Sequence, residues 1–179
     1  MGRFDVFEVL RGLWCVRYPR SESCAYIIKT SPGAIVVDTG PAPSADGMMA
    51  GLQRARVGLT SIRALVLTDA HLEQSGGAQA LRVRSGARLM CDPRSAAALD
   101  PPPSDDGNVG LSPDQILTPG DSLEGCLAVS RPPGGTNAPA WFYLSRDRAL
   151  FTGRSEAQPD IYEADWILPA RGAPRPRER

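Results

Sequence analysis

The chain has one lysine, Lys29, and one histidine, His71. Its other basic residues are all arginine, and it carries 17 prolines and 18 glycines, which is how a GC-rich genome writes a protein. The arginines are therefore no evidence of a nucleic-acid footprint. Lys plus Arg and Asp plus Glu balance at 20 each, and a net charge of +0 argues against a dedicated binder of nucleic acid or anionic membrane. No run of 18 apolar residues exists, which excludes a membrane-spanning helix. The opening MGRFDVFEVL lacks a basic-then-apolar layout, so we expect no secretory signal and a cytoplasmic protein. None of the four cysteines, Cys15, Cys24, Cys91 and Cys126, forms a C-x-x-C pair, so we expect reduced, mostly buried thiols rather than zinc ligands. No G-x-S-x-G elbow, no G-x-G-x-x-G and no phosphate-loop pattern occurs.

What is present reads as one α/β domain. The 179 residues are 42% hydrophobic and 22% charged, close to the globular average. A chain of this length buries roughly 70% of its unfolded surface. From Phe7 to Pro19 the chain mixes aromatic and branched residues, as strands do. Ala25 to Lys29 and Ala34 to Asp38 are apolar runs joined by Thr30, Ser31, Pro32 and Gly33, which predicts a hairpin. Ala45, Met48, Met49, Leu52 and Ala55 share one helical face, with Ser44 as the expected N-cap. Arg63 to His71 reads as a buried strand opening into a polar loop. The next segment, Ser75 to Gly86, reads as a short helix.

Short strands are expected at Gln115–Leu117, Cys126–Ser130, Trp141–Leu144, Ala149–Gly153 and Trp166–Leu168. Residues 1–172 make the domain, and 173–179 are expected to be a flexible Pro- and Arg-rich tail. A β-rich start, an alternating β-α middle and a β-rich end suit a layered α/β architecture, sheet on sheet with helices outside.

Three blocks carry a resemblance. They are Asp38-Thr39-Gly40 at a strand end, a polar loop from Asp69 followed by Gly76-Gly77, and the later segment Asp147 to Gly153. In order and spacing the chain resembles the metallo-β-lactamase superfamily from about Phe4 to Gly172. That resemblance implies a compact αββα sandwich with a site at the edge between its sheets. It also implies two metal ions held by an H-x-H-x-D-H loop, a later His, an Asp after Thr-Gly and a last His. A bridging water would then be the hydroxide nucleophile.

The chain departs from that pattern at nearly every position. The loop reads Asp69-Ala70-His71-Leu72-Glu73-Gln74, so only the second His survives. Gly135 falls where the later His stands, Arg154 where the bridging Asp stands, and Arg171 where the last His stands. A guanidinium is never deprotonated in a protein and ligates no metal. Asp38, Asp69, His71, Glu73, Gln74, Gly135, Arg154 and Arg171 therefore form a remnant site. We expect Arg154 or Arg171 to pair with Asp69 or Glu73 in place of the metals' charge. No cofactor is expected. The alternative is one zinc or other divalent cation held by Asp69, His71 and Glu73, serving a metal-dependent hydrolase.

The stretch from Ser155 to Arg171 is short, so Trp141, Phe142, Tyr143, Ile161, Tyr162 and Trp166 are expected to form an uncovered patch. The function expected is that of a pseudoenzyme that binds a partner protein or a small anionic ligand, with a homodimer or a hetero-complex through its C-terminal half.

Overall fold

The computed structural model describes residues 4–41, 45–99, 110–130, 140–155 and 163–177. Its first half alternates strands and helices: β1 (Asp5–Leu10), β2 (Leu13–Tyr18), β3 (Ser23–Thr30), β4 (Gly33–Val37), α1 (Asp46–Ala55), β5 (Ile62–Leu67), α2 (Leu72–Ser75), α3 (Ala78–Ser85), β6 (Arg88–Cys91) and α4 (Pro93–Leu99). After β7 (Gln115–Ile116) come β8 (Ser122–Leu123), β9 (Leu127–Ser130), β10 (Trp141–Leu144), β11 (Ala149–Gly153), β12 (Trp166–Pro169) and β13 (Arg175–Pro176). One sheet runs β1-β2-β3-β4-β5-β6-β7 and the other β13-β12-β11-β10-β9-β8. β1 to β4 pair antiparallel, whereas β4 to β7 run parallel, with helices as crossovers.

Period-two patterning sorts the side chains into layers. Leu13, Cys15, Tyr26, Ile28, Ile35, Val37 and Val66 face Phe142, Leu144, Phe151 and Leu168 of the second sheet in one core. Val16, Ile27, Val36, Leu65 and Leu67 point the other way, onto Met48 and Leu52 of α1 and Leu81 of α3. Burying Met48 or Leu52 contributes roughly 1.5–3 kcal/mol each. The helix approaches closely because Gly47 and Gly51 face Tyr18 and Val16, where a Cβ would lie 2.7 Å and 2.5 Å from those side chains. The fold is thus the sheet-on-sheet architecture expected, with α1, α3 and α4 outside the first sheet. Among the described residues, no α-helix covers the second sheet's outer face.

Four expectations change. Ser44 lies outside the described residues, and the residue before α1 is Ala45, which makes no side-chain cap. The helix expected from Ser75 to Gly86 is instead one turn, α2, then a break at Gly76-Gly77, then α3. The tail is not free from residue 173, since Arg175 and Pro176 pair with Ile167 and Trp166 as an edge strand. Nor do the aromatics form the patch expected of them. Trp141 and Phe142 are fully buried on opposite faces of β10, Trp141 among Leu150, Ala164 and Ile167. Tyr143 and Trp166 are half-buried, and Ile161 and Tyr162 lie outside the described residues.

Candidate functional site

The parallel strands β4 and β5 end side by side, and each delivers a polar group to the sheet's edge. Asp38 follows β4 in a left-handed conformation, φ 59°. Thr68 follows β5, and both residues are 1% exposed. The Thr68 backbone N–H donates to Asp38 Oδ1 at 2.8 Å, and its hydroxyl donates to Oδ2 at 2.8 Å. Burial pushes the Asp38 carboxyl up to about 7 from 3.8, against the lowering effect of these bonds, and the nearby Asp69 carboxylate adds to the rise.

Beyond Thr68 the chain turns through Asp69 to Ser75. Asp69 Oδ1 accepts the His71 backbone N–H at 3.2 Å. His71 Nδ1 accepts the Glu73 backbone N–H at 3.3 Å and so caps α2. Glu73 Oε2 stands 3.9 Å from that same nitrogen. The Ser75 hydroxyl donates to Ala70 O at 2.9 Å. The Gln74 backbone carbonyl accepts both the Thr39 N–H, at 2.6 Å, and the Thr39 hydroxyl, at 2.9 Å. The Gln74 side chain is fully buried, and among the described residues neither its Oε1 nor its Nε2 has a hydrogen-bond partner. Gly77 closes the turn against Gly40 O at 3.2 Å.

The second sheet reaches this edge at two points. Ala140 N–H donates to Thr68 O at 3.0 Å. Ala170 N–H donates to Gly153 O at 2.8 Å, while Ala170 O accepts from Cys24 N–H at 2.9 Å. Arg154 and Arg171, which follow those junctions, are both exposed. Arg171 pairs with Glu22 at 3.3 Å. Among the described residues, no ion pair joins Arg154 or Arg171 to Asp69 or Glu73, so the expected charge-replacement bridge is not formed. Gly135 lies outside the described residues.

The donors present do not fit a two-metal centre. Arg154 and Arg171, where the resemblance led us to expect ligand positions, are guanidinium groups that hold no metal, and the lone pair of His71 Nδ1 is taken up in capping α2. Among the described residues, no three His, Cys, Asp or Glu side chains converge as a metal-binding group, Asp69, His71 and Glu73 included. The thiols supply no substitute. All four are free, with Cys15, Cys24 and Cys91 buried and Cys126 half-buried. The Cys24 thiol donates to Gly172 O at 3.0 Å, and burial pushes Cys91 up to about 12. Sequence reasoning missed Thr68 as the partner of Asp38 and Glu22 as the partner of Arg171. The Thr68-Asp69 step at the end of an apolar strand was the available signal for the first, and nothing local marks the second.

No helix among the described residues is long and apolar enough to cross a membrane. Among curated proteins, none matches the chain by sequence. Solved structures do share its fold. A metallo-beta-lactamase HARLDQ-motif mutant from Cronobacter sakazakii superposes with a TM-score of 0.77 at 19% identity, covering 93% of this chain and 80% of that one. BJP-1, a subclass B3 metallo-beta-lactamase of Bradyrhizobium japonicum, gives 0.75 at 20%, covering 95% and 78%. The class B3 di-zinc enzyme LRA-12 from an Alaskan soil metagenome gives 0.73 at 19%, covering 93% and 78%. Residues 18–178 match the profile of the Metallo-beta-lactamase superfamily. A paired-strand edge that carries Asp38-Thr39-Gly40 and the Asp69–Ser75 turn is thus a member's scaffold with altered side chains, and the chain belongs to the metallo-beta-lactamase superfamily.

Proposed function

We propose that this chain is a non-catalytic member of its superfamily and acts by binding, with a small anionic ligand or a partner protein as its target. The observation that carries the reading is the pair of exposed guanidinium groups, Arg154 and Arg171, at positions where the family pattern calls for metal ligands. Arg154 makes no ion pair among the described residues, so its charge is available to an anion or an acidic surface. Leu72, 61% exposed beside His71, adds an apolar contact on the same turn. An exposed guanidinium and an exposed apolar side chain suit recognition rather than water activation.

A second reading, a metal-dependent hydrolase, has one observation in its favour. The HARLDQ motif of the Cronobacter metallo-beta-lactamase shares its Ala, Leu and Gln with Ala70, Leu72 and Gln74, read letter by letter. A loop short of histidines is thus not foreign to the family's enzymes. Turnover of a chromogenic β-lactam in the presence of added zinc separates the two readings. The binding role predicts no hydrolysis above the protein-free rate, together with a rise in thermal midpoint on adding inorganic phosphate or small carboxylates that Arg154→Ala removes. Zinc-dependent turnover abolished by His71→Ala would replace it with the hydrolase.

A further inference from the structure

Cys15 on β2 and Cys24 on β3 share one face of the first sheet. Cys15 lies opposite Tyr26 and Cys24 opposite Arg17, so the two cysteines are diagonal neighbours. Both are fully buried in the core between the sheets. The Cys15 thiol donates to the Cys24 sulfur, and the Cys24 thiol donates to Gly172 O at 3.0 Å. Arg17 belongs to the same strand face, and its positive charge favours the thiolate at each sulfur. Its Nε is buried without a hydrogen-bond partner, and among the described residues Arg17 makes no ion pair. A permanent cation with a buried, unanswered donor thus stands beside two thiols.

The geometry points to a two-coordinate site for a soft, thiophilic cation, Cu(I), with Cys15 and Cys24 as its ligands and Arg17 as its counter-charge. Diagonal neighbours in an antiparallel pair stand about 7–8 Å apart, whereas a disulfide needs Cβ atoms about 4 Å apart. An ion between the sulfurs lengthens the bridge, since each metal–thiolate bond adds about 2.3 Å. Thiolates are soft ligands and select Cu(I) over hard cations. Zinc, which takes four ligands, is not served: among the described residues no third His, Cys, Asp or Glu converges on the pair. The Tyr26 hydroxyl is committed to Pro169 O at 2.7 Å, and Leu13, Ile28 and Leu168 of the same core are apolar. Binding releases both thiol protons to solvent and transfers no electron. It leaves a bis-thiolate complex with one negative charge, which the Arg17 guanidinium neutralises. Cys24 is the second residue of β3 and Arg17 is half-buried, so the pair stands at an end of the sheet rather than at its middle. This site is independent of the binding role proposed above, and either can fail alone.

Anaerobic titration of the reduced protein with Cu(I), in competition with a chromogenic Cu(I) chelator, tests the inference. One copper per chain is expected to leave the chelator for the protein. Cys15→Ser and Cys24→Ser should each abolish that uptake, whereas Cys91→Ser, Cys126→Ser and His71→Ala should leave it intact. Arg17→Met should weaken it about 10–100-fold through the lost counter-charge. No uptake against the chelator, or uptake that survives Cys15→Ser or Cys24→Ser, would overturn the site. Should the serine variants not fold, X-ray absorption at the copper edge of the wild-type complex decides: two sulfur neighbours support the site, and nitrogen or oxygen neighbours overturn it.

Discussion

The guanidinium of Arg171 lies 3.3 Å from the carboxylate of Glu22, next to the bridge between Ser23 and Arg171. Among the described residues, this guanidinium makes no ion pair with Asp69 or Glu73. Arg171 and Glu22 are both largely exposed, at 59% and 62%. An exposed pair of this kind stabilises by less than about 1 kcal/mol. Arg171→Ala is accordingly expected to leave the thermal midpoint nearly unchanged. A loss of several kcal/mol on chemical denaturation would place Arg171 in a buried network instead.

Gln74 makes the opposite case. Its side-chain amide is buried, with both polar atoms unpaired among the described residues. Each such group costs about 1–3 kcal/mol relative to a bonded one, and an apolar group of similar shape removes that cost. Gln74→Met is therefore expected to raise stability by about 1–3 kcal/mol, read as a higher denaturation midpoint at unchanged slope. A lower midpoint would mean that the amide has a partner in solution.

Gly77 tests how tightly the turn is held. A Cβ there would sit 2.8 Å from Thr39 O, a backbone atom with little freedom to move. Gly77→Ala must push Thr39 away from its bonds to Gln74, at a cost of about 1–3 kcal/mol. Faster exchange of the Thr39 amide should accompany the loss. Normal stability together with unchanged protection at Thr39 would show that the contact between these segments is looser than the geometry requires.

The sequence made some of this legible and hid the rest for physical reasons. The β3–β4 hairpin and the run of β5 into a polar turn are written in local patterns, apolar strands with turn residues between them, and these came through. The family resemblance located the edge where Asp38 and the Asp69 turn meet. The break at Gly76-Gly77 did not come through, because it depends on Gly77 reaching Gly40, far away in sequence. The direction of Arg171 depends on Glu22, and the pairing of Arg175 depends on Ile167. Trp141 looked exposed because one strand face was assumed open, but Leu150, Ala164 and Ile167 cover it. Long-range partners of this kind leave no periodic trace in the chain.

Metal content separates a binding site from a metal centre. The purified protein, incubated with excess zinc and dialysed, is measured by emission spectrometry alongside His71→Ala. With no three His, Cys, Asp or Glu side chains converging among the described residues and His71 Nδ1 capping α2, the wild type should retain well under one equivalent and match the variant. One tightly held zinc per chain, lost in His71→Ala, would show a metal centre in place of a binding site.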